Sequence, residues 1–316
     1  MTATTDAPVA RPTRANAASV AALGLIWGGT FTVTELALAG YGPHTVAAAR
    51  VVLGAAALTG LALVLRRPLP AWSPLLAGFV ALIGVFTAAL PFTALAWGQT
   101  RTTAAFAGLT MAMLPLLILP LAHVLVPGDR LTPRKAAGFG IGALGALILI
   151  GPAAWDPSGA DGEALGQLAC LGAVACYAVG SIATRRCPPI DGLWLSAASL
   201  GVGAALLLPA MLLLEGVPGA APAPVLGAVL FLGLVPTALA ALLRIAVIRS
   251  AGPSFMTLVN YQVPVWAMAT GALVLGEALP GRFFAALALI LGGMAVGQGR
   301  DLARLFRGDP ARARDG

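Results

Sequence analysis

Three ionisable side chains, Glu35, Arg50 and Arg244, interrupt runs of apolar residues. An ion inside hydrocarbon costs roughly 2.5–3.5 kcal/mol at mid-helix, so such a residue is paired, led to a surface or put to use. Glu35 and Arg50 flank a tight connection, Ala39-Gly40-Tyr41-Gly42, which sets them at comparable depth on antiparallel helices. They can meet there, and three chemistries are open. They neutralise each other as a structural ion pair, they hold a zwitterion as a couple, or Glu35 carries a proton that drives a cycle. Arg244 lies about one turn inside the end of its run. It either snorkels to lipid headgroups or lines the mouth of an internal cavity and attracts an anionic group.

Trp27, Thr30, Phe31 and Thr34 recur at three- and four-residue spacing, and Glu35 extends the stripe. One helix face thus mixes aromatic and hydroxyl groups. It reads as a cavity wall for a substrate, or as plain packing with each threonine bonded to its own backbone. A second stretch is Leu258-Val259-Asn260-Tyr261-Gln262-Val263-Pro264-Val265-Trp266. Pro264 has no N–H, so the carbonyl of Asn260 loses its helical partner, and in hydrocarbon protein or water must satisfy it. Thr257, Asn260, Tyr261, Pro264 and Met268 share one face, and Gln262 points roughly the other way. Asn260 and Tyr261 are candidates for substrate contact; the alternative is that they only repair the kink. Trp97 and Gln99 end one span, Trp97 as an interfacial anchor. His44 and His123 lie near opposite membrane faces and read as structural.

Other chemistries lack their parts. The one lysine, Lys135, has no glycine-rich lead-in, so an ATP-binding phosphate loop is missing. No His-Glu-x-x-His or Gly-x-Ser-x-Gly stands in the chain, which argues against an enzyme. Cys170, Cys176 and Cys187 have neither disulfide nor metal spacing. No metal or cofactor is expected, and no filter loop or charge ring of a channel is evident.

These residues need apolar elements to hold them. Of 316 residues, 59% are hydrophobic and 10% charged, against about 25% charged in a soluble domain. Spans of membrane-crossing length fall at 17–38, 43–65, 73–95, 103–126, 136–151, 164–184, 192–214, 223–247, 253–275 and 283–299, the fifth and tenth being short. The first continues without a cleavage signal and reads as an uncleaved helix. The fold class is therefore an all-α integral membrane protein of ten transmembrane helices. Among the 19 Lys and Arg residues, only Arg101 and Arg282 fall in loops on the far side, and Arg50 and Arg244 within spans. By the positive-inside rule both termini are cytoplasmic. The net charge of +7 thus concerns topology; no nucleic-acid motif accompanies it.

The chain also repeats. Phe106, Leu109 and Pro115 match Phe255, Leu258 and Pro264 at one constant offset, and Thr93-Ala94-Leu95-Ala96 echoes Thr237-Ala238-Leu239-Ala240. Gly128-Asp129 resembles Gly276-Glu277. Residues 17–152 and 164–299 then form two five-helix repeats, inverted because five is odd, between a tail at 1–16 and a basic tail at 300–316. Such inverted repeats are a transporter architecture with the substrate site near the midplane. Pro115 and Pro264 read as a kink shared by both repeats. Gly138-x-x-x-Gly142 and Gly293-x-x-x-Gly297 allow close helix approach, within the chain or, as the second reading, in a homodimer seam.

Trp27-Gly28-Gly29-Thr30-Phe31, Pro43 with Arg50, the Gly-acid-Arg-Leu-Thr turn at 128–132, Leu258 to Tyr261 with Pro264, and Leu275-Gly276-Glu277-Ala278-Leu279 follow one another in an order that resembles the EamA family of the drug/metabolite transporter superfamily. The resemblance covers about residues 17–299, with Asp129 where the family usually has Glu. It implies ten helices in two inverted halves and export of amino acids, other metabolites or toxic compounds. An arginine often stands in the family where Arg50 does. The expectation is a secondary exporter of a small metabolite, such as an amino acid or related compound, in the plasma membrane. It works by alternating access, with lipid around it and protons as a candidate coupling ion. The alternatives are a multidrug exporter of organic cations, and a membrane enzyme or non-transporting membrane partner protein.

Overall fold

The structure, a computed structural model, describes residues 13–125, 132–151 and 162–307. The Gly128-Asp129 turn and most of both tails lie outside the described residues. Among those described, all regular structure is helical. Eight helices are long and apolar enough to cross a membrane: α1 Arg14–Leu38, α2 Pro43–Val64, α3 Pro74–Gln99, α4 Ala104–Leu125, α5 Pro133–Ile150, α6 Glu163–Arg186, α7 Gly192–Leu214 and α8 Ala223–Ala251. The single turn Pro253–Met256 leads into α9, Val259–Leu275, and α10 follows at Gly281–Arg307, apolar over Gly281–Gly297.

The fifth span is thus long enough, the tenth is short as expected, apolar only over Gly281–Gly297, and the ninth also falls short in one piece. Pro264 is the reason for the break. With the Asn260 carbonyl deprived of its usual donor, the preceding backbone tightens. Asn260 N–H bonds the Thr257 carbonyl at 3.0 Å, and Tyr261 N–H bonds that of Leu258 at 3.3 Å. In α4 a 3₁₀ turn, Met111–Met113, likewise precedes Pro115. Two π turns accompany two other prolines: Val85–Ala89 just before Pro91 in α3, and Gly233–Leu239 around Pro236 in α8. Each irregularity thus accompanies a missing N–H.

Helix starts are capped by side chains that accept from the first turn: Thr13 for α1, Ser73 for α3, Thr103 for α4, Thr132 for α5 and Asp191 for α7. Helix α2 begins after Gly42, which offers no side-chain cap. Its donors go instead to Glu215 at the end of α7, which accepts from His44 N–H at 2.9 Å, Thr45 N–H at 2.8 Å and the Thr45 hydroxyl at 2.7 Å. A side chain on Gly42 would overlap that carboxylate. Glu277, beyond α9, does the same for α4 through Ala104 N–H at 2.7 Å and Ala105 N–H at 2.9 Å. Both acids sit at one end of the bundle, termed the far end, opposite the N-terminus of α1. At the N-terminal end Asp191 lies 3.8 Å from Arg67 and 3.6 Å from Arg249, at the rim of a cleft of about 330 Å³.

Packing follows the small residues. Helix α5 lies on α10, α2 on α7, α1 on α8 and α9, and α6 on α3 and α4. A side chain on Gly138 would strike the Gly293 carbonyl, and one on Gly293 would strike that of Gly138. The glycine seam is therefore spent between α5 and α10 of one chain, not on a homodimer contact at these glycines.

Two outcomes follow. Gly138→Ala should lower the thermal unfolding midpoint of the purified protein, at an overpacking cost of about 1–3 kcal/mol. Gly140→Ala, with open space around it, should not; equal effects would refute the seam. Burial by itself raises the Glu215 carboxyl, but the hydrogen bonds from Thr45 and His44 outweigh it and hold the group below its usual value. Its stabilisation is full above the ordinary carboxylate range and drains as pH falls through the lowered value. Glu215→Gln should therefore flatten the acid limb of a stability-versus-pH curve; an unchanged limb would exclude the clamp.

Candidate functional site

Arg50 lies two turns into α2, about 10 Å along it at 1.5 Å per residue. Its Nε donates to the Thr237 hydroxyl at 2.9 Å. The π turn of α8 places that hydroxyl, which in turn donates to the Leu232 carbonyl five residues back at 2.8 Å. Glycines bring the two helices close enough. A side chain on Gly54 would meet Thr237 Cγ2 at 2.6 Å, and one on Gly233 would meet Leu53 Cβ at 2.5 Å. Beside the guanidinium lies Phe92, its ring centroid 4.0 Å from Arg50 Cζ. Phe92 follows the π turn of α3 and Pro91. Tyr177 of α6 meets the Phe92 ring edge-on, with centroids 6.5 Å apart. Trp27 of α1 donates its indole N–H to the Pro236 carbonyl at 3.1 Å, next to Thr237.

Side chains of α8 and α3 thus meet the guanidinium of α2, with α6 and α1 packed behind them, and both π turns serve it, as π bulges commonly mark functional sites. Nε is committed and one face is stacked, while no carboxylate of the described residues lies within ion-pair distance. Arg50 and Tyr177 are half-buried. A guanidinium with its outer edge free can receive a planar anion through two parallel N–H bonds. Arg244 is exposed on α8.

Glu35 does not pair with Arg50. Arg50 is turned toward α8 and α3, whereas Glu35 has Gln99 at the end of α3 as its polar neighbour. Gln99 donates its amide N–H to the Phe31 carbonyl at 2.8 Å. Of the first-helix stripe, Trp27 reaches the Arg50 cluster. Thr30 and Thr34 are buried and donate to the Ile26 and Thr30 carbonyls at 2.9 and 2.8 Å. Phe31 packs in the core against Gly108. Tyr261 sits among Ala112, Leu116, Ile290 and Met294, its hydroxyl buried without a partner. Asn260 is half-buried. Gln262 packs over Gly24 of α1, and Pro115 and Pro264 are buried.

Phe92, Tyr177, Thr237 and Gln99 complete these constellations without having been singled out as site residues. One signal was available: Thr93-Ala94-Leu95-Ala96 and Thr237-Ala238-Leu239-Ala240 each have a proline just before them, Pro91 and Pro236. The repeat marks both wide turns.

A model of the EamA-like transporter family matches residues 17–151 and again 164–296. A protein of Streptantibioticus cattleyicolor named "Probable terminal-alkyne amino-acid exporter" is 27% identical over 292 residues, which is 88% of this chain and 91% of that protein. A solved crystal structure, 24% identical, covers 91% of this chain and 99% of its own with a TM-score of 0.65, a likeness of fold.

The contacts of Arg50 are separable by a double-mutant cycle. Arg50→Ala and Thr237→Val should be non-additive in unfolding free energy, with a coupling of about 1–2 kcal/mol. Arg50→Ala and Glu35→Gln should add. Coupling in the second pair and none in the first would reverse the assignment.

Proposed function

Since the chain belongs to the EamA-like transporter family, and is thus a multi-pass membrane transporter, we propose that it exports a small carboxylate-bearing metabolite, an amino acid or close relative. It does so as a secondary transporter, by alternating access between two inverted five-helix halves, residues 17–152 and 164–299. The observation that carries this reading is the guanidinium of Arg50, held by Thr237 and Phe92 with its outer edge uncommitted. A substrate carboxylate would take that edge. Trp27, Phe92 and Tyr177 would offer aromatic surface to the rest of the molecule, and Arg244 would draw the anion in from the cytoplasmic side. The named exporter relative supports the direction and the amino-acid class.

Several features support the inverted halves. The family model matches twice. Helix α1 packs on α8 and α9 as α6 packs on α3 and α4, and α2–α7 and α5–α10 are self-matching pairs. The π turns and the breaks before Pro115 and Pro264 recur in matching helices. Ten crossings with both termini in the cytoplasm then follow from the distribution of Lys and Arg. The N-terminal end of the bundle is cytoplasmic and the far end external, in the cell membrane.

One observation favours the second reading, export of organic cations: Glu35 has a buried carboxylate oxygen without a partner. Two arginines without a facing acid weigh against it, since an organic cation would meet repulsion around Arg50. Sealed vesicles holding the purified protein decide between them. Counterflow of a terminal-alkyne amino acid should exceed that of its carboxamide at least about tenfold, and Arg50→Lys should lose about tenfold or more, the worth of a charged hydrogen bond. Equal flux of acid and amide, or counterflow of tetraethylammonium instead, would overturn the carboxylate reading.

A further inference from the structure

At the N-terminal end of the bundle, arginines from two helix ends converge on one oxygen. Arg67 Nη1 lies 3.8 Å and Arg249 Nη2 3.6 Å from Asp191 Oδ2. Both separations exceed hydrogen-bond length, so the N–H groups of both guanidiniums stay available. The other Asp191 oxygen is spent on the start of α7, where it accepts from Leu193 N–H at 2.9 Å and Trp194 N–H at 3.3 Å. One carboxylate thus holds two cations side by side and neutralises only one of them. The backbone of Arg67 is fixed at both of its polar groups. Its N–H bonds the Ala62 carbonyl at 3.0 Å, and its carbonyl accepts from the Trp194 indole at 3.4 Å.

Arg66 beside it adds a further charge at a structural cost. It ends α2 in the left-handed region, at φ 48°, a place that helices usually give to glycine. Helix α7 makes its own left-handed exit with a glycine, Gly216, at φ 78°.

Arg67 and Arg249 stand at the rim of the cleft of about 330 Å³ between the ends of α2 and α8 and the start of α7. Its walls are otherwise apolar: Leu65, Leu193, Leu242, Ile245 and Ala246. The cleft lies at the membrane edge. Leu63, Val64 and Leu65, closing α2, are exposed as in contact with hydrocarbon, and the exposed Trp72 just before α3 has the place of an interfacial anchor.

We propose that this cleft binds an anionic phospholipid, its phosphate bridging Arg67 and Arg249 and one acyl chain lying along the apolar wall. Guanidiniums take phosphate oxygens through paired N–H bonds, and basic pockets between membrane helices hold such headgroups. A free phosphate would leave the apolar wall bare, and a lipid without net charge would leave the surplus positive charge uncompensated. Once occupied, the cleft ties the end of α2 to the end of α8, the two helices that carry Arg50 and Thr237.

Native mass spectra of the purified full chain, released from micelles holding equal amounts of phosphatidylglycerol and phosphatidylcholine, should retain phosphatidylglycerol in excess. Arg67→Gln and Arg249→Gln should each weaken that binding about fivefold, the worth of one basic residue at an anionic headgroup. Ala246 is exposed, so Ala246→Trp fills the cleft without touching either charge, and it should weaken binding at least as much. Arg186→Gln removes an exposed arginine at the same end but outside the cleft, and should change little. Equal retention of both lipids, an equal loss in Arg186→Gln, or no loss in Ala246→Trp would overturn the proposal. So would glycerol phosphate binding as tightly as the lipid, which marks a free-anion site instead. No transported molecule enters these measurements, so their failure leaves the carboxylate reading intact.

Discussion

Inside a membrane no water is at hand to bond a free peptide group, so every span must satisfy its own backbone. Proline breaks that rule locally, and the departures from regular helix in α3, α4, α8 and α9 follow from it. Two of these departures are not merely repairs. The wide turn around Pro236 aims Thr237 at Arg50, and the one before Pro91 hands Phe92 to the same guanidinium. A strictly regular α3 or α8 would rotate these side chains around their helices and leave a cation unsupported in an apolar bundle.

Close packing by glycine is the second condition. Gly54 and Gly233 let α2 and α8 approach until a hydroxyl reaches Nε, and Gly24 and Gly28 let α9 lie on α1 under Gln262 and Trp266. The far end is clasped by carboxylates. Glu215 joins α7 to α2 and Glu277 joins the end of α9 to α4, each through the free N–H groups of a helix start. Such clasps place negative charge where the helix dipole favours it. They engage the two proposed halves across one another, at the far end of the bundle.

Much of the fold was legible in the sequence, because span length, prolines and glycine spacing are one-dimensional signals. The apolar runs lie where the helices lie, and the Gly-x-x-x-Gly pairs of α5 and α10 meet as their spacing allows. The break in the ninth span was marked by Pro264 but sat several residues earlier, at Thr257 and Leu258, because a proline disturbs the turn before it. The site was less legible. Arg50 and Trp27 were visible as odd residues in apolar company, but their partners Thr237, Phe92 and Tyr177 are ordinary residues in membrane helices.

The sequence by itself determined that the chain crosses a membrane many times and which charged residues required an explanation. Only the tertiary structure decided their company. Glu35 and Arg50 stand on adjacent antiparallel helices at similar depth, so spacing alone made them a natural pair. The rotation of each helix about its axis, set by which glycine faces which neighbour, turned them apart. Arg50 went to a hydroxyl and an aromatic ring and kept an edge free, and Glu35 went to a glutamine. Depth in the membrane is written along the chain. Azimuth around each helix is a property of the packed bundle.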